Sequence, residues 1–109
     1  MQIDISFKHM EHSDNLKGYT TEKSEKFKKF FEGKLHVIWN LSIEHDDKIA
    51  HCHVLGRDLD FFSEATTPDF HASIDTVANK IEKQLRKQKE IVRDHQATPR
   101  NERSDLSEE

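Results

Sequence analysis

The sequence predicts an α+β fold with the element order β-α-β-β-β-α, in which two helices pack on one face of a four-stranded sheet. Three observations lead there. Residues 2–8 alternate apolar and polar side chains, as a half-buried strand does. Three further alternating runs fill residues 37–65, parted by short turn signals. Two stretches, 14–31 and 69–90, instead repeat their apolar residues at helical spacing.

In the opening strand Ile3, Ile5 and Phe7 share one face, and Gln2, Asp4, Ser6 and Lys8 the other. Ser13 suits an N-cap, because its hydroxyl can accept from a backbone N–H of the first turn, and Asp14 complements the helix dipole. This helix is expected to run to about Phe31, with Leu16, Tyr19, Phe27 and Phe30 as its stripe and Gly33 as its stop. Gly18 inside it costs about 1 kcal/mol against Ala. Val37, Trp39, Leu41 and Ile43 then alternate with Ile38, Asn40, Ser42 and Glu44, and Asp46-Asp47 reads as a hairpin turn. Ala50, Cys52 and Val54 alternate with His51 and His53 as far as Gly56. Arg57-Asp58 turns the chain into a fourth strand carrying Phe61, Ser63 and Ala65. Thr67 as N-cap and Pro68 at the first helical position open the last helix. Its apolar stripe is Ile74, Val77, Ala78, Ile81 and Leu85. The periodicity fails after Asp94, so residues 1–94 are expected to form the folded domain and 95–109 a disordered polar and acidic tail.

With 109 residues, 33% hydrophobic and 35% charged, the chain can build one domain with a small core and a wet surface. No run approaches the roughly 20 apolar residues of a membrane helix. The start alternates instead of forming an apolar signal block, so it reads as mature sequence. The lone Cys52 agrees with a reducing compartment, and the cytoplasm is the expected setting. The net charge of −4 conceals a segregation. Residues 14–34 carry six Lys against four acidic residues, and residues 80–93 carry six basic against two acidic. Residues 35–68 carry two basic against six acidic, and 94–109 two against five. Because salt screens exposed charges beyond about 8–10 Å, the local field outweighs the total.

The last helix therefore sets the functional question. Lys80, Lys83, Arg86, Lys87 and Lys89 lie off its apolar stripe, Arg93 extends them, and the first helix adds Lys23, Lys26, Lys28 and Lys29. Such arrays suit phosphate backbones, since each contact releases condensed counterions. The alternative is a solvated helix face, steadied by Glu82 and Glu90 through ion pairs one turn apart. Two basic helices side by side on one sheet face raise the nucleic-acid reading above what either helix supports alone.

Other chemistries find less support. His51-Cys52-His53 suggests a metal site, but alternation puts the two imidazoles on one face and the thiol on the other. A structural zinc site wants four ligands and a catalytic one three, and His45 is the only obvious third candidate nearby. No metal and no cofactor is expected. The chain has no Gly-rich phosphate loop, no G-x-S-x-G and no H-E-x-x-H, while Cys52 reads as core. No catalytic residue is assigned and the protein is not expected to be an enzyme. Trp39, Phe61, Phe27 and Phe30 are expected in the core, with Phe31 beside the helical stripe and Phe62 on the open sheet face. A protein-binding regulator would use that face, through Ile38, Asn40, His51, His53 and Phe62, and a small metal-binding protein would use His51 with His53.

One segment carries a more specific signal: Asp69-Phe70-His71-Ala72-Ser73-Ile74-Asp75, then Lys80-Ile81-Glu82-Lys83-Gln84-Leu85, then Lys87 and Lys89. It resembles the D-M-Y-x-A-I-D and D-K-L-x-R-Q-L-x-K-x-K pattern of the bacterial ribosome hibernation-promoting factors and ribosome-associated translation inhibitors. Phe70 and His71 replace Met and Tyr, Asn79 replaces Asp, and Lys83 replaces Arg, which keeps the helix but alters its donors. Tyr19, Lys23, Lys26 and Phe27 of the first helix support the resemblance, which spans roughly residues 1–93. The topology derived above is also the family's, a double-stranded-RNA-binding-domain-like arrangement.

The resemblance implies a partner and a mode of action. Such proteins bind the small ribosomal subunit in the channel for messenger RNA and transfer RNA anticodon arms, and they block translation in stationary phase or stress. Basic helix residues face the 16S ribosomal RNA, and no reaction is catalysed. Carried over by position, the RNA contacts are Lys23, Lys26, Lys80, Lys83, Lys87 and Lys89, and Arg86 joins them on physical grounds. A monomer without membrane or small-molecule partner is expected. The ending Ser104-Asp105-Leu106-Ser107-Glu108-Glu109 is that expected of a short, acidic-tailed member.

Overall fold

The computed structural model describes residues 1–31 and 33–94, without the side chains of 89–94. The tail expected over 95–109 lies outside the described residues. In chain order the elements are β1 (Gln2–Lys8), α1 (Asp14–Glu25), a 3₁₀ helix (Lys26–Phe30), β2 (Leu35–Glu44), β3 (Asp47–Gly56), β4 (Leu59–Thr67) and α2 (Phe70–Asp94). This is the predicted order, with one helical segment more. The strands form a single sheet in the order β1-β2-β3-β4. β1 runs parallel to β2, with Ile3 opposite Val37 and Phe7 opposite Leu41, and the other pairings are antiparallel. The parallel pair needs a long crossover, which α1 and the 3₁₀ helix supply, whereas two-residue loops suffice for the hairpins.

The loops fall at His45-Asp46 and Arg57-Asp58. The first lies one residue before the expected Asp46-Asp47 turn, because Asp47 already pairs with Glu44 as the first residue of β3. The left-handed positions go to His45 (φ 59°) and Asp58 (φ 63°), and Asp and His are among the residues that tolerate that region. Gly56, next to the second loop, has a packing role. A Cβ there would stand 3.0 Å from Leu35 Cδ2, 3.1 Å from Leu59 Cγ and 3.2 Å from Phe31 Cζ.

Alternation worked as expected on every strand. The inner face buries Leu35, Val37, Trp39, Leu41, Ala50, Cys52, Val54 and Leu59. Against it lie Ile74, Val77, Ala78, Ile81 and Leu85 of α2, all five predicted and all buried. Each large apolar side chain removed from water in this way contributes about 1.5–3 kcal/mol.

Three details of the helices differ from the sequence expectation. The first helix leaves α geometry at Glu25 and tightens into the 3₁₀ helix over Lys26–Phe30, instead of continuing to Phe31. Side chains three apart eclipse in a 3₁₀ helix, which puts Phe27 and Phe30 on one side and seats Phe27 in the core. Phe31, in extended conformation, ends the segment, and Gly33 (φ 125°) turns the connection to β2. Secondly, the deepest positions of α1 are Thr20 and Ser24, while Leu16 and Tyr19 are only half-buried. Small polar residues let α1 sit close over Trp39. The Ser24 hydroxyl accepts from Trp39 Nε1 at 2.7 Å and donates to the Thr20 carbonyl at 2.8 Å. Thirdly, Ser13 caps α1 as expected, accepting from Leu16 N at 3.2 Å, but α2 is capped by Asp69, not Thr67. Asp69 Oδ2 accepts from Ala72 N at 3.0 Å. Pro68 favours extended backbone at Thr67, so the helix starts beyond it. Thr67 Oγ1 accepts instead from Asp69 N at 3.0 Å, while the Ser73 hydroxyl donates to the Lys48 carbonyl at 2.7 Å and ties α2 to β3.

Candidate nucleic-acid interface

With its apolar stripe pinned to the sheet, α2 turns Lys80, Lys83 and Arg86 outward, all exposed, and leaves Lys87 half-buried. At the helical rotation per residue, Lys80, Lys83 and Lys87 fall within an arc of roughly 60° opposite the stripe. Arg86 lies on the flank toward the first helical segment, its guanidinium 5.9 Å from the Phe30 ring centroid. Lys26, Lys28 and Lys29 are exposed on the neighbouring 3₁₀ helix. The predicted cations are thus gathered on the helical side of the molecule, and the sheet's open face is on the other. Lys89 is placed on α2, and its side chain lies outside the described residues.

Lys23 is held differently from the rest. Its Nζ lies 3.1 Å from Asp75 Oδ1, and the Tyr19 hydroxyl donates to the same oxygen at 2.5 Å. The ammonium also stands 5.5 Å from the Tyr19 ring centroid, and that ring meets His71 edge-on at 4.4 Å. Burial works against the Asp75 carboxylate, yet the hydrogen bonds from Tyr19 and Lys23 and the lysine's charge outweigh it and hold its pKa below the ordinary value. The bond to Asp75 raises the pKa of Tyr19, with burial adding to it, and raises that of Lys23 against the effect of burial. All three groups therefore keep one protonation state across the neutral range. Sequence reasoning placed Tyr19 on an apolar stripe and gave Asp75 no role. The signals were its place at the end of the Asp69–Asp75 motif and an acidic residue ahead of a basic ridge, and 56 positions separate Asp75 from Tyr19.

The remaining candidates sit elsewhere. His51 and His53 share the open sheet face, and Cys52 is fully buried on the other. His53 Nε2 lies 2.5 Å from Asp60 Oδ1, and the His51 ring meets Phe62 at 4.5 Å. Among the described residues no three His, Cys, Asp or Glu side chains are grouped to hold a metal ion. Burial pushes the Cys52 thiol up, so it is no nucleophile. Of the four aromatics expected in the core, Trp39 and Phe27 are buried while Phe30 and Phe61 are half-buried against it; Phe31 is half-buried, and Phe62 is 51% exposed on the open sheet face, as expected. No helix among the described residues is long and apolar enough to cross a membrane.

A sheet with basic helices on one side matches a known protein family. Residues 3–93 fit the family described as Sigma 54 modulation protein / S30EA ribosomal protein. The chain belongs to that family. Within it, the chain is 33% identical over 92 residues to the ribosome hibernation promoting factor of Azotobacter vinelandii, covering 83% of this chain and 84% of that one. It is 29% identical over 97 residues to the factor of the same name from Klebsiella oxytoca, covering 87% and 100%. Among solved structures it is similar to the Thermus thermophilus Protein Y N-terminal domain, with a TM-score of 0.76, 22% identity, and 80% and 98% of the two chains covered. A ribosomal subunit interface protein from Coxiella burnetii gives a TM-score of 0.65 at 22% identity, with 82% and 98% covered. At that identity the two structures establish the shared fold.

Proposed function

We propose that this protein is a ribosome hibernation factor that binds the small ribosomal subunit and inhibits translation during stress or stationary phase, acting in the cytoplasm where ribosomes are. Family membership supports the ribosome as partner. The single observation that carries the RNA-facing assignment is the arc of exposed Lys80 and Lys83 with half-buried Lys87, set opposite a fully buried stripe on the same helix. Lys26 and Arg86 extend it, Lys23 borders it, and Lys89 continues it along the chain. A rigid surface with cations on two helices can bridge phosphates of 16S ribosomal RNA. Lodged in the messenger RNA and transfer RNA channel, such a domain stops translation by occupancy. No bond needs to be made or broken, and no catalytic group or cofactor is assigned.

Reversing Lys80, Lys83 and Lys87 to Glu tests this. Co-sedimentation with ribosomes should be lost, while circular dichroism and the thermal midpoint stay near wild type, because none of the three belongs to the buried stripe. Wild-type binding should weaken with salt, each phosphate contact contributing about 0.7–0.9 to the slope of log K against log salt. Retention of the triple variant on ribosomes would sink the assignment.

A further inference from the structure

The proposed RNA-facing side contains a carboxylate where a polyanion-binding surface would gain from having none. Asp75 precedes the Lys80–Lys87 arc on α2, on the flank toward α1, and its side chain is 42% exposed. One of its oxygens takes both the Tyr19 hydroxyl and the Lys23 ammonium. We propose that Asp75 is a specificity-determining residue of this surface: it fixes Lys23 and Tyr19 in one arrangement and repels phosphate between the helices, so that the surface selects the ribosome over RNA at large. This rests on the ribosome-binding reading given above.

The physical argument has two parts. A lysine ordered before binding loses less side-chain freedom when it meets its target, so the pair favours a partner whose phosphates match the fixed position. A negative charge amid cations lowers affinity most for polyanions whose phosphates run across it and least for a partner whose phosphates stay clear of it, which is how it discriminates. The Lys23 and Tyr19 contacts keep that charge in place, as the lowered pKa of Asp75 and the raised pKa of Lys23 agree. His71, edge-on to Tyr19, closes the cluster on the α2 side.

The naive electrostatic expectation and the proposal differ in sign, which makes the test sharp. Asp75→Asn removes one negative charge and frees Lys23. Binding to polyuridylate should tighten about 3- to 10-fold at low salt, with its salt slope steeper by about 0.7, one phosphate contact on a single strand. Binding to purified ribosomes should weaken about 5-fold, as two side chains must now be ordered on contact. Asp75→Glu keeps the carboxylate at a half-exposed site and should restore most of the ribosome-to-polyuridylate ratio. An interhelical clasp with no part in recognition would lower the thermal midpoint and leave that ratio unchanged. An unchanged ratio in Asp75→Asn, or an Asp75→Glu variant as impaired as Asp75→Asn, overturns the proposal while leaving the ribosome-binding reading intact. Failure of wild-type protein to bind ribosomes would overturn both.

Discussion

Replacing Ser24 by Ala offers the most direct test of how the first helix is fastened to the sheet. Ser24 and Trp39 are both fully buried, and the serine hydroxyl accepts the indole N–H at 2.7 Å. Alanine fills nearly the same space, so almost no transfer free energy changes. What changes is that a buried donor loses its acceptor, which costs about 1–3 kcal/mol. A middle value of about 2 kcal/mol corresponds to a drop of roughly 8–16 °C in the thermal midpoint for a domain of this size. That is a large share of the roughly 5–15 kcal/mol by which such domains are stable. The protein has a single tryptophan, Trp39, so its fluorescence during urea unfolding reports on the very group at issue. A double-mutant cycle with Trp39→Phe, followed by circular dichroism, isolates the pair, and the two changes together should cost about 1–2 kcal/mol less than their sum. A Ser24→Ala variant within about 0.5 kcal/mol of wild type, or a cycle showing no coupling, would refute the assignment of this hydrogen bond as the fastening.

Thr20→Val tests the neighbouring residue, whose buried hydroxyl has no hydrogen-bond partner among the described residues. Removing it should stabilise the protein by about 1 kcal/mol in urea unfolding, and a loss would show that the hydroxyl is in fact satisfied. Cys52, fully buried with its thiol pKa raised, should react with a thiol reagent at pH 8 only as fast as the protein unfolds; prompt stoichiometric modification of native protein would contradict its placement. The Asp75 cluster predicts a pH dependence at two extremes. Because the folded pKa of Asp75 is lowered, its contribution is present above the unfolded value of about 3.9 and is lost as pH falls through the folded one. Because those of Lys23 and Tyr19 are raised, theirs is present below about 10 and is lost as pH rises through the folded values. Asp75→Asn should therefore flatten both limbs of a plot of urea midpoint against pH, and wild-type limbs in the variant would exclude the network.

How far the sequence could be read follows from the range of each interaction. The strand faces were legible residue by residue, from Ile3 on β1 to Ser63 on β4, because alternation is a local property of an extended chain. The stripe of α2 was legible for the same reason at a different period, and with it the outward placement of Lys80 and Lys83. The hairpin turns came within one residue, His45 taking the left-handed position beside the Asp46-Asp47 pair that turn chemistry suggested. The first helix was the poorest reading. Its apolar residues are too sparse to mark the buried side, and that side is in fact lined by Thr20 and Ser24.

The sequence by itself determined the order of elements, which face of each strand is wet, and that one helix would carry a ridge of cations. Two short-range periods, two residues and 3.6, are enough for that. Only the tertiary structure decided which polar side chains go inside and which cations are free to act. Ser24 is buried because Trp39, 15 positions away, needs an acceptor, and Lys23 is held because Asp75 arrives from the far end of the chain. Such pairings exist only once the sheet and α2 bring those residues together, and no spacing along the chain announces them.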